Sequence, residues 1–485
     1  MFKPSQYQQA IFDKVKNTDD NIIINAVAGS GKTTTLLELL ELIPKNKSAI
    51  FLAFNKSIVT DIGNKLSERK LNNIKAYTYH SFGLSLFRYN LISTNFIKDK
   101  TDEIIDDTND DNEDFNFLKN TIFLIKNNNI DYENFEELTE YINTLDYEGM
   151  KNTKEITELI QKILSLCEQE ISSVDFDDMI WLPVRKHLLF KSFDYILVDE
   201  AQDLNKMQFD FTKKLVQNGT RIIAVGDRNQ SIYAFRGADT NSMANFQKVF
   251  NMFEMPLSIS YRCPLSVIKL AQDIVPEIEA QPLAIEGEVS EVEFNEILER
   301  ADNSDFIINR TNAPLVYTAY ELLKMGKNVI IRGRDIGKSL IANINGYKVH
   351  DIKQLIIKNK NRLNHLNDKL ISEKNMKKRV SILNNIDNCE VLNIMGEMEI
   401  SILGLINKIN SIFSDDMTNK IICSSVHKAK GLEADNVFIL NYSLFDYFIN
   451  INKGEDKQQE KNIKYVAITR AKEKLFLGKA IKTNK

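Results

Sequence analysis

The chain has 485 residues, 43% of them hydrophobic and 27% charged, with 62 Lys and Arg against 67 Asp and Glu and a formal charge of −5. That length predicts two to four domains, and no apolar run is long enough to span a bilayer. The charge balance excludes a chain that holds nucleic acid by global basicity, so any such grip must be a local groove. The cysteines Cys167, Cys263, Cys389 and Cys423 are scattered with no C-x-x-C, which argues against disulfides, structural zinc and iron–sulfur clusters and for a reducing cytoplasm. The first residues, "MFKPSQYQQAIF", lack the charged-then-apolar layout of a signal peptide.

In chain order, "NIIINAVAGSGKTTTLLELLELI" reads as strand, Gly-rich loop and helix, and "SAIFLAF" as a second strand followed by a helical run to about Leu66. Strands alternating with helices predict a parallel sheet covered on both faces. From about Tyr89 to Ser172 the pattern is helical with no strand signal, and its acidic stretch from Asp99 to Asp114 reads as a mobile surface segment. Alternation resumes with "FDYILVDEAQDL" and "RIIAVGD", and Trp181 just before them reads as a core residue. A second alternating region starts near Pro256 and includes "DFIINRTN" and "KNVIIRG"; residues 341–418 are helical and rich in Lys and Asn; "KIICSSV", "NVFILNY" and "KLFLG" then return as strands. The fold class is α/β, with two parallel-sheet P-loop domains, 1–88 with 172–255 and 256–340 with 419–485, each carrying a mainly helical insertion, 89–171 and 341–418. The basic run Lys358–Arg379 reads as a solvated helix face, with duplex phosphates as the alternative.

Three segments carry chemistry. In "AVAGSGKTT" (Ala26–Thr34), Ala28, Gly29, Ser30, Gly31, Lys32, Thr33 and Thr34 form a phosphate loop between a strand and a helix. Gly29 and Gly31 let backbone N–H groups turn toward an anion, and the helix start adds partial positive charge. Lys32 would reach the β- and γ-phosphates and the Thr33 hydroxyl would bind Mg²⁺; the first Gly of the general pattern is replaced by Ala26. In "FDYILVDEAQD", Asp199 and Glu200 close a strand, where carboxylates point into the ligand crevice. Asp199 would hold Mg²⁺ and Glu200 would polarise the attacking water. Finally, "GDRNQSIYAFRGA" (Gly226–Ala238) puts an Asp, a Gln, two aromatics and an Arg straight after a strand, as a loop would that faces one charged and one flat partner.

These segments, in this order, resemble the UvrD/Rep/PcrA group of superfamily-one DNA helicases, and Gly226–Ala238 is that group's most telling signature. "SQYQQAI", "AFNKS", "TYHSFG", "YRCP", "INRTNA", "SVHKAKGLEADNVFIL" and "YVAITRAK" are similar to its other motifs along nearly the whole chain. The short form looks close to F-box-type DNA helicases and related phage and bacterial enzymes. The resemblance implies two RecA-like domains with ATP between them. Gln8 then reads adenine, Tyr261 stacks on it, and Glu433 lies near the ribose. Gln230 senses the γ-phosphate, Arg262 reaches it, and Arg470 is the arginine finger. Phe54, Asn55, Thr78, His80 and His427 belong to motifs that meet DNA. Tyr233 and Phe235 offer faces to an unstacked base, with Arg236 adding charge. The histidines have a bland alternative as structural, hydrogen-bonded residues.

The resemblance also implies an ATP hydrolase that translocates on single-stranded DNA 3′ to 5′ and unwinds duplexes. Its partners are single strands and single-/double-strand junctions, with no membrane; a monomer or weak oligomer in the cytoplasm of a bacterial cell or phage-infected host is expected. A translocase that mainly strips proteins from DNA, or a nucleotide-switched DNA-binding effector, are the rival readings. Repair, replication, phage and defence roles all stay open. The chain departs from the group's pattern at Phe235, where many members carry Trp, and at "LAFNKS", where they carry "TFTNKA".

Overall fold

The computed structural model describes residues 3–109, 114–145, 153–232, 241–373 and 376–480, the side chains of 376–378, 380 and 381 excepted. It divides into two units, Met1–Ile259 and Ser260–Lys485.

In the first unit, β1 (Ile22–Ala26), β2 (Ala49–Ala53) and β3 (Ile74–Thr78) alternate with the helices Lys32–Glu41, Lys56–Glu68 and Tyr79–Tyr89. Two-residue strands β4 (Asn95–Phe96) and β5 (Ser173–Val174) pair in parallel around the insertion. Then come β6 (Tyr195–Val198), β7 (Arg221–Gly226) and β8 (Phe253–Leu257). The main sheet has the order β3-β2-β6-β7-β1-β8 with every pairing parallel. Both faces are covered, which is why its strands read as continuous apolar runs. Alternate side chains separate cleanly. Ile23, Ile50 and Leu52 join the core under the helix Tyr79–Tyr89, while Ile22, Ile24, Phe51 and Ala53 join the core under Ile11, Leu36 and Leu40.

The insertion packs the helices Lys100–Thr108, Phe115–Asn128, Phe135–Thr144 and Thr153–Gln169 on the first of these cores. Two expectations change here. The β4–β5 ribbon lies where only helix was expected, because two residues are too few to leave a period-2 pattern. The described part of the acidic stretch is a helix whose Lys100, Ile105 and Thr108 are buried; residues 110–113 lie outside the described ones. Lys100 and Lys126, 2% and 1% exposed, donate to the two carboxylate oxygens of fully buried Asp178 at 2.6 and 2.8 Å. Lys126 also sits 5.1 Å from the ring centre of buried Trp181. Removing Asp178 would leave two buried ammonium groups, a defect costing about 3–5 kcal/mol.

In the second unit, β9 (Ile259–Ser260) and β10 (Glu279–Ala280) form a short ribbon. The strands β11 (Glu288–Val292), β12 (Phe306–Asn309), β13 (Val329–Ile331), β14 (Ile421–Ser425), β15 (Ala434–Ile439) and β16 (Ala471–Gly478) form a sheet of order β11-β16-β15-β12-β14-β13, again parallel throughout. Two six-stranded parallel sheets flanked by helices are the covered parallel sheets that the strand–helix alternation implied, in the RecA-like arrangement that the resemblance implied. Strand β11, "EVSEV", carries too many carboxylates to show as an apolar run.

Between β13 and β14, the helices Arg334–Gly346, Ile352–Ser372, Met376–Glu397 and Ile402–Ile412 add Leu355, Val391, Met395 and Ile409 to this sheet's core. In the basic run, Lys360 pairs with Glu397 at 2.7 Å and Lys358 donates to the Tyr347 carbonyl at 3.2 Å. No described helix is long and apolar enough to cross a membrane.

Candidate active site

The carboxyl ends of β1, β7 and β6, which are neighbours in the first sheet, carry the phosphate loop, the Gly226 loop and the acidic pair. Gly29 and Gly31 take φ of 71° and 77°, conformations an L side chain resists, and Lys32 opens the helix that follows. Ala28 and Ser30 are buried, Thr33 is half-buried and Thr34 exposed. The Lys32 ammonium donates to Glu200 Oε2 at 2.9 Å. Burial works against its charge, but the charges of Glu200, Asp227 and Asp199 outweigh burial and hold its pKa above the ordinary lysine value.

Glu200 has φ 52° and ψ 44°, a left-handed backbone costing a non-glycine residue about 1–3 kcal/mol. The bend turns its carboxylate toward Lys32. Gln202 Nε2 donates to the same Glu200 oxygen at 2.6 Å, and Gln202 Oε1 accepts from the Asp227 backbone N–H at 3.0 Å. Gln230 Nε2 donates to Asp227 Oδ2 at 2.8 Å. A chain of contacts therefore runs Lys32–Glu200–Gln202–Asp227–Gln230. Gly226 makes room for it, since a Cβ there would lie 2.5 Å from Gln202 Oε1.

Asp199 is 1% exposed; its Oδ1 accepts from the Glu200 N–H at 2.9 Å, while Oδ2 is buried with no hydrogen-bond partner among the described residues. Burial, then the charge of Glu200, pushes its pKa up to about 7 against the pull of Lys32. An orphaned buried carboxylate oxygen beside a phosphate loop fits a cation. Among the described residues no group of three or more His, Cys, Asp or Glu could hold a metal, so such an ion would draw most of its ligands from phosphate oxygens and water. Gln8, 2% exposed, donates to Thr35 Oγ1 at 2.9 Å, which in turn donates to the Gly31 carbonyl at 3.0 Å. It is thereby tied to the phosphate loop from the side.

In the second unit, Arg262 Nε donates to Glu433 Oε2 at 2.6 Å and its Nη1 to the Thr469 carbonyl at 3.4 Å. Arg470 is 1% exposed, and its guanidinium donates to the carbonyls of Val466 and Leu432 at 2.9 and 3.0 Å and to Thr469 Oγ1 at 3.2 Å. Glu433 and Arg470 immediately precede β15 and β16, so this cluster lies at the amino edge of the second sheet. Tyr261 is exposed beside it in sequence. His427 stands apart, half-buried just past the carboxyl end of β14.

The residues expected to meet DNA in the first unit lie at the carboxyl ends of β2 and β3, two further strands of the same sheet. Phe54 is exposed. Asn55 caps the next helix, accepting from the Ile58 N–H at 3.0 Å. Thr78 likewise caps the helix Tyr79–Tyr89, accepting from the Ser81 N–H at 3.1 Å. His80 is half-buried, and burial lowers its pKa, favouring the neutral ring. Its ring stands edge-on to Phe176 at 5.9 Å, and Phe176 in turn edge-on to Phe96 at 4.9 Å. Both phenylalanines are exposed, an unusual position for large apolar rings. Tyr233, Phe235 and Arg236 lie outside the described residues.

Sequence reasoning missed Gln202 and the Phe96–Phe176 pair, and it read Asp227 as part of the Gly226 loop without giving it a role of its own. Gln202 was legible as the fourth residue of "DEAQD"; Phe176 sits in "VDFDDMI" with nothing local to set it apart from a core residue.

Comparison with known proteins identifies the family. Residues 7–251, just over half of the chain, match the UvrD/REP helicase N-terminal domain, and residues 420–477 match the UvrD-like helicase C-terminal domain. The chain is similar to the ATP-dependent DNA helicase PcrA of Staphylococcus aureus, 23% identical across 96% of this chain and 82% of that protein. It is also similar to F-box DNA helicase protein 1 of Schizosaccharomyces pombe, 25% identical across 98% of this chain and 57% of that protein. The chain belongs to the UvrD/REP helicase family of ATP-dependent DNA helicases.

Proposed function

We propose that the chain couples ATP hydrolysis to 3′-to-5′ movement along single-stranded DNA and thereby opens duplexes at single-/double-strand junctions. The observation that carries this reading is the continuous contact chain from Lys32 to Gln230. It runs from the phosphate loop into the loop whose next residues include Tyr233, Phe235 and Arg236. A change at the phosphates then reaches the aromatic segment without a long-range relay.

In this reading Lys32 and the loop amides bind the β- and γ-phosphates, and Gln8 recognises adenine. Thr33 and Asp199 hold Mg²⁺, which would neutralise phosphate charge when bound. Glu200, released from Lys32 by the incoming phosphates, orients the attacking water. Arg262 and Arg470 stabilise the charge that develops on the transferred group, Tyr261 stacks on the base, and Glu433 holds the ribose. Phe54, Asn55, Thr78, His80 and His427 line the strand's path. The exposed Phe96–Phe176 pair beside His80 supports an aromatic extension of that path.

The test is ATP turnover and unwinding on substrates with a 3′ tail, a 5′ tail or RNA. Turnover stimulated by single-stranded DNA and unwinding from the 3′ tail alone are expected. Equal unwinding from both tails would refute the polarity, and DNA-independent turnover would refute the coupling.

A further inference from the structure

Away from the strand ends that carry the phosphate loop, a pocket of about 230 Å³ opens between β3 and the helix Tyr79–Tyr89. Lys75, Arg88 and Lys191 stand exposed around it, and its wall contains no carboxylate. Among the described residues none of the three makes an ion pair; Lys191 instead lies 5.7 Å from the ring centre of Phe193. In a chain of net charge −5, three cations around one cavity without a carboxylate in its wall make a local patch of positive charge.

Apart from Ser85, the rest of the lining is aromatic. Tyr77 is tilted against Phe82 at 5.6 Å and Phe82 stands edge-on to Phe193 at 5.9 Å, while Tyr89 is 54% exposed. Cations around aromatic faces suit a ligand that carries phosphate on a flat ring. The volume is large enough for one flat ring. Lys75 and Tyr77 share one face of β3, and the same strand leads directly into Thr78 and His80.

We infer that this pocket seats one nucleotide of the single strand as it passes beyond Thr78 and His80. The inference rests on the reading that those two residues meet the strand. A base stacks between Tyr77 and Tyr89, and Lys75, Arg88 and Lys191 hold the adjoining phosphates. Stacking is indifferent to base identity, which suits a site that every nucleotide must pass. An acidic peptide could satisfy the charges, but it would gain nothing from the continuity with Thr78 and His80.

The test uses the full chain and two oligo(dT) strands, one just covering the Phe54–His80 track and one several nucleotides longer at each end. For Lys75→Glu/Arg88→Glu/Lys191→Glu, affinity for the longer strand should fall roughly tenfold or more, and the salt slope should shrink by about 0.7 for each phosphate the variant no longer holds. Short-strand affinity and the ATP turnover it stimulates should not change. Tyr89→Ser, which alters only a rim residue, should weaken the longer strand several-fold at an unchanged salt slope. Unchanged long-strand binding in both variants overturns the inference, as does equal weakening on both strands. Binding of dTMP that the triple variant abolishes, with long-strand affinity intact, would assign the pocket to free nucleotides and also overturn it. His80→Ala separates the two layers: if it weakens neither strand, the reading of the track fails, whatever the pocket does.

Discussion

Two cations, Lys32 in the first unit and Arg470 in the second, are held in opposite ways, while Arg262 of the second unit pairs with Glu433 as Lys32 does with Glu200. In the first, Lys32 is compensated by carboxylates, with Glu200 in contact and Asp199 and Asp227 close enough to raise its pKa. In the second, Arg470 is buried against carbonyl oxygens and a hydroxyl. A carboxylate partner can be exchanged for another anion, which is what the proposed function asks of Lys32 when phosphate displaces Glu200. Hydrogen bonds from Arg470 to the Val466 and Leu432 carbonyls hold its guanidinium in one orientation, which is what the proposed role of a positioned positive charge asks of it.

Four substitutions would break or sharpen that contrast. The largest effect belongs to Arg470→Lys, which keeps the charge and loses the planar fork. DNA-stimulated ATP turnover should fall by about 10³–10⁵-fold, the range for losing an arginine finger. A melting curve should show whether the fold survives; a well-folded variant with full turnover would remove Arg470 from the site. Next, Lys32→Ala should cost at least about 10²–10³-fold in turnover, as loss of one positioned charge does. Its counterpart Glu200→Gln should lose turnover comparably yet bind ATP more tightly, because the incoming phosphates no longer compete with a carboxylate for Lys32. Equal or weaker ATP binding by Glu200→Gln, measured at equilibrium, would count against the exchange. The smallest effect is expected for Phe235→Ala, which should leave ATP affinity unchanged and weaken single-strand binding by about 1–3 kcal/mol, the worth of one stacked base. Unchanged stepping along single-stranded DNA would make this ring a packing residue only.

What the sequence made legible follows from how local each feature is. The phosphate loop, the Asp199–Glu200 pair and the central strands are contiguous, and a doubly covered parallel strand declares itself as an apolar run. The inner strands of the two sheets could be read that way because Ile22–Ile24, Ala49–Ala53 and Ile421–Ile422 need no distant partner to be recognised, whereas the edge strands β3, β8 and β11 carry too many polar or exposed positions to show as apolar runs. Lys100 shows the limit. At the head of an acidic stretch it reads as solvated, yet its partner Asp178 comes from 78 positions away, and that pairing, with the Cys167 and Glu170 carbonyls, makes burial tolerable. The same holds for the pocket beside β3, whose Lys191 reaches it from the approach to β6. The Phe96–Phe176 pair was hidden likewise, because the β4–β5 ribbon that brings it together is two residues long on each side.

Gly226 has a consequence for how the protein tolerates change. It bears no functional group, yet one added methyl would strike the Gln202 amide, through which Glu200 and Asp227 are joined. A neutral and outwardly conservative Gly226→Ala should therefore push the Gln202 amide off Glu200 and Asp227 and lower ATP turnover while ATP still binds, although the substituted position carries no functional group of its own.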